Sequence, residues 1–214
     1  ATYYGKTLML TNDLDMTGKT CPQGITFRGT LDGQGHAIKN LNLTTSGLFA
    51  NTGNSTFKNL AIVNCTVTAA HPAVIARDIT SGLAVTFENV YIEANMTAAS
   101  GSMYAGGFIG RSAGTADQAT FTNCVSNCVI TGSASAGVGG FLGWTNVNNK
   151  ITMNNCAFIG DLSGVTAARG VGGFVGGARC YVTLNRCISM GKGSTQELYG
   201  AFLTLANPTM QQSF

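Results

Sequence analysis

Gly106-Gly107-Phe108-Ile109-Gly110 recurs as Gly139-Gly140-Phe141-Leu142-Gly143 and as Gly172-Gly173-Phe174-Val175-Gly176, so the step from 106 to 139 to 172 is 33 residues both times. Weaker copies flank these, at Ser46-Gly47-Leu48-Phe49-Ala50 and at Tyr199-Gly200-Ala201-Phe202-Leu203. A fixed period of this length marks a repeat architecture, in which one unit cannot bury its apolar face without a neighbour. A second motif follows the glycine blocks at regular intervals: Thr56-Phe57-Lys58-Asn59-Leu60, Thr86-Phe87-Glu88-Asn89-Val90, Thr120-Phe121-Thr122-Asn123-Cys124, Thr152-Met153-Asn154-Asn155-Cys156 and Thr183-Leu184-Asn185-Arg186-Cys187. We align Ala37-Ile38-Lys39-Asn40-Leu41 with them as an earlier relative.

Each copy alternates polar and apolar residues with period two, which predicts a strand rather than a helix. Ankyrin repeats share the period but are helical, and the Gly-Gly blocks and Thr-rich strands argue against them. Propeller blades need longer units, of about 40 residues or more. The fold class predicted is therefore all-β, a parallel β-solenoid of about six coils, each one repeat long. Residues 1–30 are expected to form an N-terminal cap strand and lead-in, 31–203 the coils, and 204–214 a tail.

Column reasoning assigns the side chains. Phe57, Phe87, Phe121, Met153 and Leu184 should stack inside the coil, and so should Leu41, Leu60, Val90, Cys124, Cys156 and Cys187. Between these inward columns lie Asn40, Asn59, Asn89, Asn123 and Asn155. Asn tolerates left-handed backbone at a bend, and stacked Asn side chains can bond one another as a ladder. Arg186 interrupts this column. Cys124, Cys156 and Cys187 replace Leu and Val, so buried apolar thiols are expected rather than metal ligands. Seven cysteines leave one unpaired if the rest are bridged, and Cys21 and Cys180 are the best candidates for a disulfide.

At this point the chain resembles a known family. Phe27-Arg28-Gly29-Thr30-Leu31-Asp32-Gly33-Gln34-Gly35-His36-Ala37-Ile38-Lys39-Asn40-Leu41, with Leu8-Met9-Leu10-Thr11-Asn12-Asp13-Leu14-Asp15-Met16 upstream, is similar to the opening of GLUG-type surface repeats. The resemblance covers about residues 7 to 203. It implies a right-handed, single-stranded parallel β-helix on a secreted or cell-surface protein, often a non-catalytic part of adhesins and large surface proteases. It brings no catalytic residues with it.

The 214 residues include 29 Gly but only 10% charged residues, at a net charge of +3. That excludes a disordered chain, a charge-laced coiled coil and a nucleic-acid binder steered by a strong basic field. No apolar run reaches the roughly 18–20 residues of a membrane span. The absence of a leading Met and of a signal-like segment suggests a processed precursor or a piece of a longer protein. Glycoside hydrolysis needs two carboxylates flanking one bond, and no two carboxylates fall in one column on neighbouring coils. Asp32-Gly33-Gln34-Gly35-His36 reads as a turn. No catalytic residue, cofactor or metal site is expected. Glu88 follows Lys58 in one outward column as a surface ion pair, and Arg77 and Arg111 fall in similar register as a modest basic patch.

The segment through Met16 could cap one end with polar groups. The other end, around Phe202, Leu203 and Leu205, is apolar and should pair with a further strand. The function expected is a non-enzymatic extracellular or cell-surface structural and adhesive solenoid. Its partner would be itself, head to tail, or adjoining domains of a longer protein. The alternatives are a carbohydrate-active or glycan-binding β-helix and, from the outward column Thr56, Thr86, Thr120, Thr152 and Thr183, an ice-binding solenoid.

Overall fold

The computed structural model describes residues 3–22, 24–112, 114–167, 169–178, 180–193, 203–205 and 209–213. All regular structure among them is strand, paired in parallel, and no helix is long and apolar enough to cross a membrane. The threonine column holds in register: Thr7, Thr30, Thr56, Thr86, Thr120, Thr152 and Thr183 pair in succession from one strand to the next. Neighbouring strands lie about 4.8 Å apart, so each coil adds one rung to a rod.

Each complete turn has a threonine wall, a second wall reached through a bend at Asn, a short glycine wall and a return wall. The glycine wall pairs Tyr104–Gly106, Gly137–Gly139 and Gly170–Gly172, with Ala73 bridged to Gly106. Toward the N-terminus it continues outside regular strand, with the Ala73 N–H donating to Ser46 O at 3.4 Å and the Leu48 N–H to Val74 O at 3.0 Å. About four turns are thus built in full, fewer than the six expected. The outer rungs repeat the threonine motif without the whole circuit, which is why counting motifs overstates the turns.

Two ring stacks fill the core. Phe57, Phe87 and Phe121 stack along the threonine wall at centroid distances of 5.2 and 4.8 Å. Phe108 and Phe141, from the glycine blocks, stack at 4.8 Å from the opposite side. The stacks meet edge to face, with Phe121 at 5.4 Å from both Phe108 and Phe141. That geometry suits the ring quadrupole and adds to the burial itself. Met153 and Leu184 continue the first column, buried as expected.

The glycine pairs are there for space. Gly106, Gly107, Gly139 and Gly140 have ordinary φ, yet a Cβ on Gly107 would overlap the Gly140 carbonyl, and one on Gly140 the Gly173 carbonyl and the Phe158 ring. Backbones of successive rungs approach so closely here that only glycine fits.

Two alignments need correction. Asn40 stacks on Asn64, and Leu41 falls opposite Cys65, because Ala37 pairs with Ala61 and Asn42 with Thr66. Residues 33–36 occupy the place of 59–60, so the first coil is two residues longer there. The segment through Met16 forms a rung of its own. Leu8 pairs with Leu31 and Leu14 with Ile38, on inward columns, yet they are 36% and 39% exposed.

Candidate functional site

At the bend between the first two walls, Asn59, Asn89, Asn123 and Asn155 all adopt left-handed backbone, with φ of 50–54°. That conformation costs most side chains about 1–2 kcal/mol, and Asn offsets it with local hydrogen bonds. Here each carboxamide donates from Nδ2 to the Oδ1 of the preceding coil: Asn89 to Asn59 at 3.0 Å, Asn123 to Asn89 at 3.0 Å and Asn155 to Asn123 at 3.1 Å. Asn59 donates to Asp32 at 3.3 Å, and Arg186 Nε donates to Asn155 at 2.7 Å. A carboxylate only accepts and a guanidinium only donates. The ladder therefore opens on an acceptor and closes on a donor, which accounts for Arg186 at the column's end. Asn40 belongs to a second, shorter ladder, donating to Asp15 at 2.9 Å and accepting from Asn64 at 2.6 Å. The bond from Asn40 is the largest influence holding the Asp15 carboxyl down at about 2.

Asp32 also accepts the Gln34 N–H at 3.0 Å, closing the turn expected at Asp32-Gly33-Gln34-Gly35-His36. Lys58 pairs with Asp32 at 3.3 Å rather than with Glu88.

All seven cysteines are free thiols, including Cys21 and Cys180, which form no disulfide. Cys124 and Cys156 are buried and Cys187 is half-buried. Each thiol points at a carbonyl two residues back in its own turn: Thr122, Asn154 and Asn185, at 3.3–3.4 Å. The Cys156 thiol is pushed up to about 12, first by its bond to Cys124. Burial does the same to Cys65 and Cys128, also to about 12. They share a column with Ala94 between them. Burial and neighbouring thiols thus favour the protonated form of Cys65, Cys128 and Cys156, whereas the Cys124 thiol is pulled down, first by its bond to Cys156.

At the other end, Leu203 and Leu205 lie in a strand that pairs with Val175 and Ala178, and Phe202 lies outside the described residues.

A group of residues on the return wall was not assembled by the sequence reading. Thr26, Asn51, Asp78, Arg111 and Trp144 occupy one register position on successive rungs. Asp78 is buried, and its carboxylate is fully engaged. Oδ1 accepts from Arg111 Nε at 2.9 Å and from the Tyr104 hydroxyl at 3.1 Å, and Oδ2 accepts from Arg77 Nε at 2.8 Å. Arg77 and Arg111 thus converge on one acid instead of stacking in register. Burial, with the Asp78 charge second, pushes the Tyr104 phenol up to about 12, so it remains a donor.

Three arginines on this face each cover an aromatic ring. Arg28 lies 5.0 Å over Tyr4, Arg111 5.0 Å over Tyr104 and Arg169 5.4 Å over Trp144. Two clefts meet at Arg111. The larger, of about 540 Å³, runs past Tyr4, Arg28, Asn51, Asp78 and Ser81. The smaller, of about 170 Å³, runs past Tyr104, Trp144 and Arg169. The only sequence hint was the similar spacing of Arg77 and Arg111. The rings and cations come from positions as far apart as 4 and 28, or 144 and 169, which no local motif links.

No family model matches the chain, and no curated protein matches it. Among solved structures, the chain is similar to the crystal structure of a putative immunoglobulin A1 protease from Bacteroides ovatus. The TM-score is 0.52 at 19% identity, over 96% of this chain and 77% of that one. The likeness is one of fold.

Proposed function

We propose that the chain is a non-catalytic extracellular solenoid, a structural and adhesive rod that continues end to end into further stacked strands, as a surface fibre or stalk. The observation that carries this is the outermost strand. Among the described residues Tyr3–Met9 pairs on one side only, with Thr26–Asp32, and it leaves Tyr4, Leu8, Met9 and the nearby Leu14 exposed. An open apolar strand edge is a template for another strand, and the strand of a second copy would cover the Leu8 and Leu14 columns. The GLUG-type opening motif supports the surface location. The aspartates support a non-catalytic rod. Asp13, Asp15, Asp32, Asp78, Asp117 and Asp161 all hold turns, ladders or ion pairs.

Light scattering and electron microscopy across a concentration series test this. Head-to-tail oligomers or filaments should grow with concentration, and Leu8→Asp with Leu14→Asp should reduce them while leaving the β-sheet circular dichroism intact. A chain that stays monomeric at every concentration would overturn the assembly.

A further inference from the structure

The Arg28–Arg111–Arg169 face is a binding site: we propose that it takes an acidic oligosaccharide lying along the rod, with carboxylate or sulfate groups against the stacked guanidinium groups. This deepens the adhesive half of the reading above and needs no assembly.

The charge balance of the face points to an anion. The two clefts are lined by Arg28, Arg111 and Arg169 against one carboxylate, Asp78, which already accepts from three donors; the buried Asp117 beside them is held by the Gly82 and Gly114 N–H groups and the Ser112 hydroxyl. The effect of Asp78 is to hold Arg111 in place. Arg28 carries the argument furthest. Its Nε is buried with no hydrogen-bond partner among the described residues, while Tyr4 fixes the guanidinium from one side. A desolvated, unpartnered donor carries a penalty of about 1–3 kcal/mol, and an anion in the adjoining cleft, which Arg28 lines, would offset it electrostatically. Arg presents its donors as a planar fork matched to such groups. Because each guanidinium already lies on a ring, little further ordering is needed on binding.

The geometry selects a linear ligand. From Thr26 through Asn51, Asp78 and Arg111 to Trp144 are five rungs, four steps that span about 19 Å at the strand spacing. That length suits an extended chain rather than a single small molecule. Between the cations, the cleft offers Thr26, Asn51, Thr80 and Ser81, groups that bond hydroxyls. A nucleic acid would want open aromatic faces for its bases, and here the arginines cover the rings.

The test is calorimetry on the chain kept dilute enough to be monomeric. The probes are an oligogalacturonate and a heparin-derived oligosaccharide, with a neutral cello-oligosaccharide, poly-glutamate and single-stranded DNA of similar length beside them. At least one acidic oligosaccharide should bind, more weakly as salt rises, and the neutral one should not. Arg28→Gln and Arg169→Gln should each weaken binding about tenfold. Neither side chain makes a hydrogen bond within the described fold, so the melting temperature should hold, and Arg28→Lys should not restore full affinity. If the oligogalacturonate binds and the heparin fragment does not, carboxylate is the group read, and the converse assigns sulfate. Failure of both to bind, binding untouched by both substitutions, or equal binding of poly-glutamate or DNA would overturn the proposal. Filaments without glycan binding would sink this site alone, and glycan binding without filaments would sink only the assembly.

Discussion

Phe121→Ala should cost about 4 kcal/mol of stability, within the range for a fully buried Phe. For a chain of this size that lowers the melting temperature by about 8–16 °C. Phe121 is fully buried and sits where the two ring stacks cross, touching Phe87 at 4.8 Å and both Phe108 and Phe141 at 5.4 Å. Truncation opens a cavity lined by three rings that belong to different rungs, and the backbone ladders prevent those rungs from collapsing into it. Phe121→Leu keeps much of the volume and should cost only about 1 kcal/mol. Chemical denaturation of both variants measures the difference. Equal effects from Ala and Leu would mean that the volume filled at the ring crossing does not set its contribution to stability.

Gly140→Ala should have the other large effect, although it adds one carbon. The new Cβ meets the Gly173 carbonyl of the next rung and the Phe158 ring. The carbonyl cannot turn aside without breaking its rung, so the coils must part locally. Overpacking of this kind costs about 1–3 kcal/mol, occasionally more. Gly193 also has ordinary φ but open space around its Cβ position, so Gly193→Ala should stay within about 0.5 kcal/mol of the parent. Thermal melts of the two variants side by side separate a demand for space from a general intolerance of Ala. If Gly140→Ala melts with the parent, the close approach at the glycine wall is wrong.

What the sequence made legible followed from a motif that keeps its residue pattern in every coil, although the step from Thr56 through Thr86, Thr120 and Thr152 to Thr183 varies over 30, 34, 32 and 31 residues. From Thr56 onward the motifs align without correction, and the Thr, Phe and Asn columns fall where the motif puts them. The error at Asn40 and Leu41 arose where the first coil carries two extra residues, at the Asp32–His36 turn. An insertion in a turn leaves the apolar alternation on either side unchanged, so the motif looked aligned while its partners had shifted. Arg186 read as a break because composition gives Asn and Arg no common role. Only the direction of the ladder, from Asp32 to Arg186, shows that a donor belongs at its end.

The arginine face was illegible for a different reason. Tyr4 and Arg28 meet across rungs, as do Trp144 and Arg169, and neither pair repeats down the column. A repeat search finds what recurs from coil to coil, and a binding face consists of what departs from the repeat. The same holds for Asp78, whose role depends on pairing opposite Arg111 rather than on the adjacent Arg77 alone.

The central claim is that residues one repeat apart stack on adjacent rungs, and engineered disulfides test it most directly. Thr120 and Thr152 pair in register on neighbouring strands, and Thr183 is the next rung along. All three are half-buried on the outer surface. At about 4.8 Å per rung, Thr120→Cys with Thr152→Cys falls inside the Cα separation a disulfide spans, and Thr120→Cys with Thr183→Cys falls outside it. Under mild oxidation of the native chain, peptide mapping by mass spectrometry should find the 120–152 bond in high yield and the 120–183 bond absent. No bond between 120 and 152, or equal yields from the two pairs, would contradict the stacked solenoid.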